Sequence, residues 1–273
     1  MQRESLYSGV ATPNGGYAMK KMLLMATMIS GVMAAGAAHA SMVTIDQAGW
    51  TGAGCVGAGS CMVSGVTISA SGNAMMAGGA GLNVFQSSAT LSQTTFNGAT
   101  GLGIDFARYP GTGVGEGRNK EIQIGETMSF AFGQAVKLDS ISLVFLYAKD
   151  RFPEDPANEV ALITGDSTTH SLTVLTSSGT PTFLYTGPGS AVAETPFNQG
   201  VFRIDNPFGT SLISTLSLTS PFLPNTTTSD NSDFAFLKLS FTIPTRIPEP
   251  ASLALLGAGL LGFGVAARRR RAA

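Results

Sequence analysis

Apolar and polar side chains alternate along much of the chain between Trp50 and Ile243. An alternation with a period of two is typical of β-strands that bury one face and expose the other. The longest such segment covers residues 136–147, where large apolar side chains stand on one face and Val144 and Leu146 on the other. This pattern predicts a strand that is buried on both faces. Further strands are predicted at Val66–Ala70, Ile122–Ile124, Met128–Phe132, Glu159–Thr164, Ser171–Thr176, Thr182–Thr186, Val201–Ile204, Leu212–Thr219 and Asp233–Ile243.

Turn residues separate these strand patterns, notably Gly133-Gln134, Gly165-Asp166, Gly187-Pro188-Gly189 and Asn206-Pro207. No segment between residues 41 and 247 sustains the apolar period of a capped helix. About ten to twelve short strands with local connections predict an all-β fold, an antiparallel β-sandwich of jelly-roll type.

The N-terminal region has the layout of a secretory signal. Residues 19–40 contain two lysines, then an apolar run, then small residues at Ala38 and Ala40. This order predicts a signal helix that is cleaved in front of Ser41. Residues 1–18 are polar, so the true start is interpreted as Met19, and a long n-region that begins at Met1 is the alternative. In both cases residues 1–40 are predicted to lie outside the fold.

The C-terminal region, residues 247–273, has three parts in a fixed order. Pro248, Glu249 and Pro250 come first, and an uncharged apolar run of 17 residues follows. As a helix this run is about 25 Å long, at the short end for crossing a bilayer, and it predicts a transmembrane helix. Four basic residues follow it: Arg268, Arg269, Arg270 and Arg271. Positive charge favours the cytoplasmic side, so the preceding chain is predicted to lie outside the cytoplasm.

This tail resembles the PEP-CTERM sorting signal of Gram-negative bacteria, which is read by the membrane enzyme exosortase. Tails of this kind are also catalogued under ice-binding names, but the sequence shows no regular threonine array that would suit ice. The resemblance implies export through the Sec machinery, a transient anchor in the inner membrane, processing at the PEP triplet, and a final place at the cell surface or outside the cell. An ordinary C-terminal membrane anchor is the alternative.

The middle of the chain loosely resembles a recurring module of PEP-CTERM proteins. The similarity lies in Gly113–Phe132, Val136–Tyr147 and Asp233–Phe241. It implies a β-sandwich surface domain and no catalytic set.

With both ends set aside, the body covers residues 41–246 and changes the charge balance. It contains nine basic and fifteen acidic side chains, a net charge of −6, against −1 for the whole chain. Nucleic acid binding needs clustered positive charge, so the composition excludes a nucleic acid partner. No cofactor is expected.

Cys55 and Cys61 are the only cysteines of the chain. In an exported protein this pair predicts one disulfide. A zinc site is the alternative, but it needs about four nitrogen or sulfur ligands, and His170 is the only histidine of the body. No metal site is therefore predicted there.

The body contains few candidate catalytic residues. His170 is predicted to lie in a surface loop, and no G-x-S-x-G nucleophile elbow is present in the body. A structural Ca²⁺ is an alternative for two acidic loops, and it would use Asp150, Glu154, Asp155, Glu159, Asp230 and Asp233. A polysaccharide hydrolase would draw its carboxylates from Glu116, Glu121, Asp150 and Asp155. A lectin-like module would use exposed aromatic side chains from Trp50, Tyr109, Tyr147, Phe152 and Tyr185.

The preferred interpretation is a non-catalytic exported protein of the cell surface or extracellular matrix. The family resemblance adds an association with exopolysaccharide or biofilm. A carbohydrate-binding lectin-like module is the second interpretation, and a polysaccharide hydrolase is the third.

We expect the exported protein to begin at Ser41, because signal peptidase cuts after small residues such as Ala38 and Ala40. N-terminal sequencing of protein recovered outside the cytoplasm measures this directly. An intact Met1 or Met19 at the N-terminus of exported protein would contradict the prediction.

Overall fold

A computed structural model describes residues 40–78, 81–87, 89–106, 120–149, 151, 157–221, 232–244, 257, 259–260 and 268. For residues 73–78, 81–87, 106 and 197 it describes the backbone alone. The predicted signal helix, and most of the predicted transmembrane helix, lie outside these residues. In the described part of the chain, no helix is both long and apolar enough to cross a membrane.

The fold is all-β, as predicted, and its paired strands are antiparallel. The strands are β1 (Ser41–Ile45), β2 (Ser60–Val63), β3 (Val66–Gly78), β4 (Gly81–Ser87), β5 (Ala89–Phe96), β6 (Ala99–Phe106), β7 (Glu126–Val144), β8 (Val160–Gly165), β9 (Thr168–Thr176), β10 (Thr182–Tyr185), β11 (Ser190–Ala193), β12 (Phe202–Asp205), β13 (Leu212–Thr219) and β14 (Ala235–Ile243). One α-helix, α1 (Gln47–Gly52), and a short 3-10 helix (Phe197–Gln199) complete the elements.

Strand β7 organises the sheet because it has different partners along its two halves. Its first half pairs with β3 on one side and β13 on the other. Its second half pairs with β12 and β14. The strand order of the first layer is therefore β2-β3-β7-β13-β8-β9-β10. The strand order of the second layer is β11-β12-β7-β14. Strands β1 and β6 both pair with β14, and β5 pairs with β6.

Aromatic side chains from the two layers meet in the core. Three ring pairs join a strand of the first layer to a strand of the second, with centroids 5.0–5.5 Å apart: Phe130–Phe236, Phe132–Phe241 and Phe183–Phe202. Each buried side chain of this size stabilises the fold by roughly 1.5–3 kcal/mol relative to exposure. The alternation seen in the sequence is thus the alternation between this shared core and the outward faces.

The turn predicted at Gly133-Gln134 is wrong. Strand β7 continues through both residues, and the polar break marks the point where its partners change. The pairing with β3 ends at Phe132, and the pairing with β13 is interrupted by an irregularity between Ile213 and Thr215. Small or polar residues suit this segment because their side chains are exposed there.

The long strand also ends earlier than predicted. Phe145 has a φ of 69°, a left-handed conformation that a bulky side chain rarely adopts, and it stops β7 at Val144. The amide of Phe145 donates a hydrogen bond to the carbonyl of Gln199 at 3.2 Å. Its side chain is nonetheless buried, so the chain turns away without leaving the core.

Helix α1 was not predicted, because six residues are too few to show a helical period. Asp46 caps it, accepting a hydrogen bond from the amide of Gly49 at 3.1 Å. The helix places Trp50 in the core, where the side chain is fully buried. The amide of Cys55 then donates to the carbonyl of Trp50 at 3.1 Å, which brings the disulfide loop against the end of the helix.

The predicted disulfide between Cys55 and Cys61 is confirmed. Its loop is also held to β5, because the amide of Gly57 donates to the carbonyl of Leu91 at 2.8 Å and the amide of Leu91 donates to the carbonyl of Ala58 at 2.7 Å. The bridge therefore fixes the loop where β2 and β5 approach each other.

Two strand glycines provide a matched test of this packing. A Cβ at Gly103 in β6 would overlap the carbonyl oxygen of Lys120 and lie 2.7 Å from the Cα of Glu121. A Cβ at Gly133 in β7 would lie 3.8 Å from its nearest neighbour, the carbonyl oxygen of Gly65. We expect Gly103→Ala to lower the free energy of unfolding by about 1–3 kcal/mol. Gly133→Ala should leave it unchanged or raise it by about 0.5–1 kcal/mol, because alanine restricts the unfolded chain.

Urea unfolding of both variants measures the two free energies. Destabilisation of Gly133→Ala by as much as Gly103→Ala would show that residue 133 lies in a turn after all.

Candidate functional surfaces

The predicted sorting residues lie mostly outside the described residues. Pro248, Glu249, Pro250, Arg269–Arg271 and Ala38 are among them, whereas Arg268 is helical and exposed. Ala40 is exposed and Ser41 begins β1. Ser41 pairs with Ile243, near the end of β14. The two ends of the body therefore meet on neighbouring strands.

His170 lies in strand β9 and not in a loop as predicted. Its ring packs 5.4 Å from the ring of Phe208 and 6.1 Å from that of Tyr185. The Tyr185 hydroxyl donates to the carbonyl of Pro207 at 2.9 Å, and burial raises its pKa above the usual value. The histidine thus packs against aromatic rings, beside a cavity of about 380 Å³ at the β8–β9 turn.

Asp166 is the one acidic side chain among the described residues that line this cavity. Its carboxylate accepts hydrogen bonds from the amide of Ser214 at 3.1 Å and from the amide and hydroxyl of Thr215, both at 2.9 Å. Asp166 is exposed, and the slight loss of water around it would raise its pKa, but these hydrogen bonds outweigh that effect and lower the pKa. Asp166 therefore holds the β8–β9 turn to β13. These hydrogen bonds give the side chain a structural role.

A group of carboxylates surrounds Glu126 at the start of β7. Glu126 is buried, and its Oε2 accepts a hydrogen bond from the amide of Gln123 at 2.8 Å. Burial raises its pKa to about 8; the hydrogen bond from Gln123 opposes this rise, and the charges of Asp105 and Asp233 add to it. At neutral pH this carboxyl group is protonated, so it is suited to a buried hydrogen-bonding role.

The other described candidates for acid chemistry are also buried. Glu159 accepts a hydrogen bond from the amide of Tyr147, and Glu121 lies near enough to influence the same tyrosine. Burial first, and then the charges of these two carboxylates, raise the pKa of Tyr147. The remaining hydrolase and calcium candidates lie outside the described residues: Glu116, Asp150, Glu154, Asp155 and Asp230. Within the described ranges, no three potential metal ligands come together.

The aromatic residues predicted to bind a ligand do not form an exposed platform in the described part. Trp50 and Tyr147 are buried and Tyr185 is half-buried, while Tyr109 and Phe152 lie outside the described residues. The sequence analysis missed Phe96, which is 42% exposed. Its ring meets that of Tyr147 edge-on at 6.5 Å.

One surface that the sequence analysis missed is the outward face of the first layer. Side chains on this face are mainly serine and threonine, in register from β2 to β9. We call this surface the hydroxyl face. It could not be read from the sequence, because its members lie as far apart as Ser60 and Thr219 and meet only through strand pairing.

Comparison with known proteins bears on the tail. Residues 246–271 match the family of the PEP-CTERM protein-sorting motif. No curated protein and no solved structure matches the chain. The motif indicates an exported protein that an exosortase-type membrane enzyme processes.

Glu126 makes the stability of the body depend on pH. In the folded protein the pKa of Glu126 is about 8, above its usual 4.5. The contribution of Glu126 to the free energy of unfolding is therefore complete below pH 4.5 and is lost as the pH rises towards 8. Across that window this group lowers the free energy of unfolding by up to about 1.4 kcal/mol per pH unit. Glu126→Gln removes the titrating group and should flatten this part of the profile.

Urea unfolding at a series of pH values measures the slope, with Glu194→Gln as a control in a partly exposed ion pair. Equal slopes for the parent and Glu126→Gln would show that Glu126 is ionised in the folded protein.

Proposed function

We propose that this chain is a non-catalytic exported protein of the cell surface or extracellular matrix. The observation that carries the proposal is the sorting motif at residues 246–271. The body supports it, because every described strand lies between Ser41 and Ile243. Removal of the tail in front of the motif would therefore take away no strand of the body.

The signal helix directs export through the Sec machinery, and residues 251–267 form a transmembrane helix in the inner membrane until processing. The four terminal arginines hold the helix end in the cytoplasm, because moving them through hydrocarbon is very costly. The body is a sandwich of jelly-roll type and is released to the surface.

Absence of catalysis is part of the proposal, and several contacts support it. The carboxyl oxygens of Glu126 and Glu159 accept backbone hydrogen bonds in buried positions, and Asp166 holds a turn. His170 packs between aromatic rings. These groups have structural roles, and none needs a substrate to explain its position.

A second part of the proposed function is association with extracellular polysaccharide, in the manner of a lectin-like module. The hydroxyl face supports it, because serine and threonine side chains both donate and accept hydrogen bonds, as sugar hydroxyls do.

Replacement of Pro248, Glu249 and Pro250 together by alanine tests the sorting proposal. We expect uncut protein to stay in the inner membrane, because the enzyme loses the triplet that it reads. Immunoblots of membrane and extracellular fractions, with mass spectrometry of the C-terminus, measure the outcome. The matched control replaces Pro244 and Thr245 by alanine, which removes one proline outside the matched residues 246–271 and should allow cutting. Normal cutting and export of the Pro248–Pro250 variant would falsify the proposal.

A further inference from the structure

The hydroxyl face contains an ordered row that crosses six strands. Cα pairing places these residues side by side in the order Ser60, Ser69, Ser129, Ser217, Thr164 and Thr169. Neighbouring strands are about 4.8 Å apart, so the row offers one hydroxyl group at each such step. All six residues are exposed or half-buried.

Parallel rows lie two residues away along the strands. One contains Ser71, Thr127, Thr219, Leu162 and Ser171, and another contains Met62, Thr67, Ala131 and Thr215. Residues two apart on a strand are about 6.6–6.8 Å apart. The hydroxyl groups therefore form a two-dimensional array on the first layer.

The side chains of these rows are themselves uncharged, and the nearest carboxylate, that of Asp166, accepts a hydrogen bond from the Thr215 hydroxyl at 2.9 Å at the edge of the array. The outward face of the second layer differs. There a corresponding row contains Val192, Arg203, Ser142 and Lys238. Arg203 forms ion pairs of 3.0 Å with both Glu194 and Asp205. Among the described residues, basic side chains therefore stand in the row of the second layer and not in the rows of the hydroxyl face.

The central hydroxyl groups are available to a partner. The side chains of Ser69, Ser129 and Ser217 make no hydrogen bond to another described residue, and they are too small to cover the strands beneath them. The inward residues of the same strands, such as Phe130 and Leu216, are fully buried. The core thus fixes the array before any partner binds, which reduces the entropy lost on binding.

These observations identify the chemistry of the partner. Each hydroxyl group is one donor and two acceptors, which matches a surface that is itself covered with hydroxyl groups. An uncharged face loses little solvation energy against a neutral partner. An anionic polymer is disfavoured, because the body carries a net charge of −6 and the face offers no cation.

We propose that the hydroxyl face is a docking surface for neutral polysaccharide chains. This inference rests on the polysaccharide association in the proposed function and assigns it to one face of the fold.

The test uses the processed protein from culture and measures its retention on insoluble cellulose and on cross-linked dextran, with alginate as the anionic comparison. The variant S129K/S217E changes two paired residues at the centre of the array. The new side chains are long, and their opposite charges keep the net charge and pair across the strands. We expect retention on at least one neutral polymer by the parent, and an apparent Kd at least about tenfold weaker for the variant.

A matched control exists on the same strand β7. Ser140 and Ser240 are also directly paired and half-buried, but they belong to the second layer. S140K/S240E should keep the parent's affinity within about twofold, the scatter expected of surface changes. The triple variant S69A/S129A/S217A, which deletes hydroxyl groups without adding bulk, covers the case in which S129K/S217E fails to fold. It should weaken retention as well.

Three results would overturn the inference. They are no retention of the parent on either neutral polymer, stronger retention on alginate than on both of them, or equal retention of the parent and the folded first-layer variants. Loss of binding in S140K/S240E alone would leave polysaccharide association in place and move it to the second layer. The fractionation of the Pro248–Pro250 variant is independent of all these results, so failure of the sorting proposal would be seen separately.

Discussion

The structure depends on one strand that belongs to two layers. Strand β7 is 19 residues long and exchanges one pair of partners for another near Gly133. Both layers are hydrogen-bonded to this strand, so it joins one layer to the other. The ring pairs Phe130–Phe236 and Phe132–Phe241 then fill the space between the layers. Among the described strands, β7 is the only one that belongs to both layers. A break in it would separate the two halves of the core.

The sequence predicted what depends on neighbouring residues and missed what depends on distant ones. Strand β13 has the predicted bounds, Leu212–Thr219, because alternation is local. The continuity of β7 was missed because a polar Gly-Gln pair within a strand resembles a turn unless its partners are known. His170 was assigned to a loop for the same reason: the polar residues before it in fact begin β9.

The candidate surfaces show the same difference between features that depend on neighbouring residues and features that depend on distant ones. The sorting motif could be predicted because its residues are contiguous and their order carries the chemistry. The hydroxyl face could not, because Ser69 and Ser129 become neighbours only through the pairing of β3 with β7. Serine and threonine at alternate strand positions are ordinary outward residues in a sequence. Only the register across six strands brings these residues together as an array.

The pairing of β1 with β14 has a consequence for the time course of folding. The first strand of the body needs the last one as its partner, and β14 also pairs with β7. A chain that emerges from its N-terminus cannot complete the second layer until residue 243 has followed. Such long-range pairing folds slowly, and unpaired strand edges remain exposed to association in the meantime. A nascent chain of this protein therefore keeps an open sheet until its residues up to 243 have been made, so the order of synthesis limits when that sheet can close.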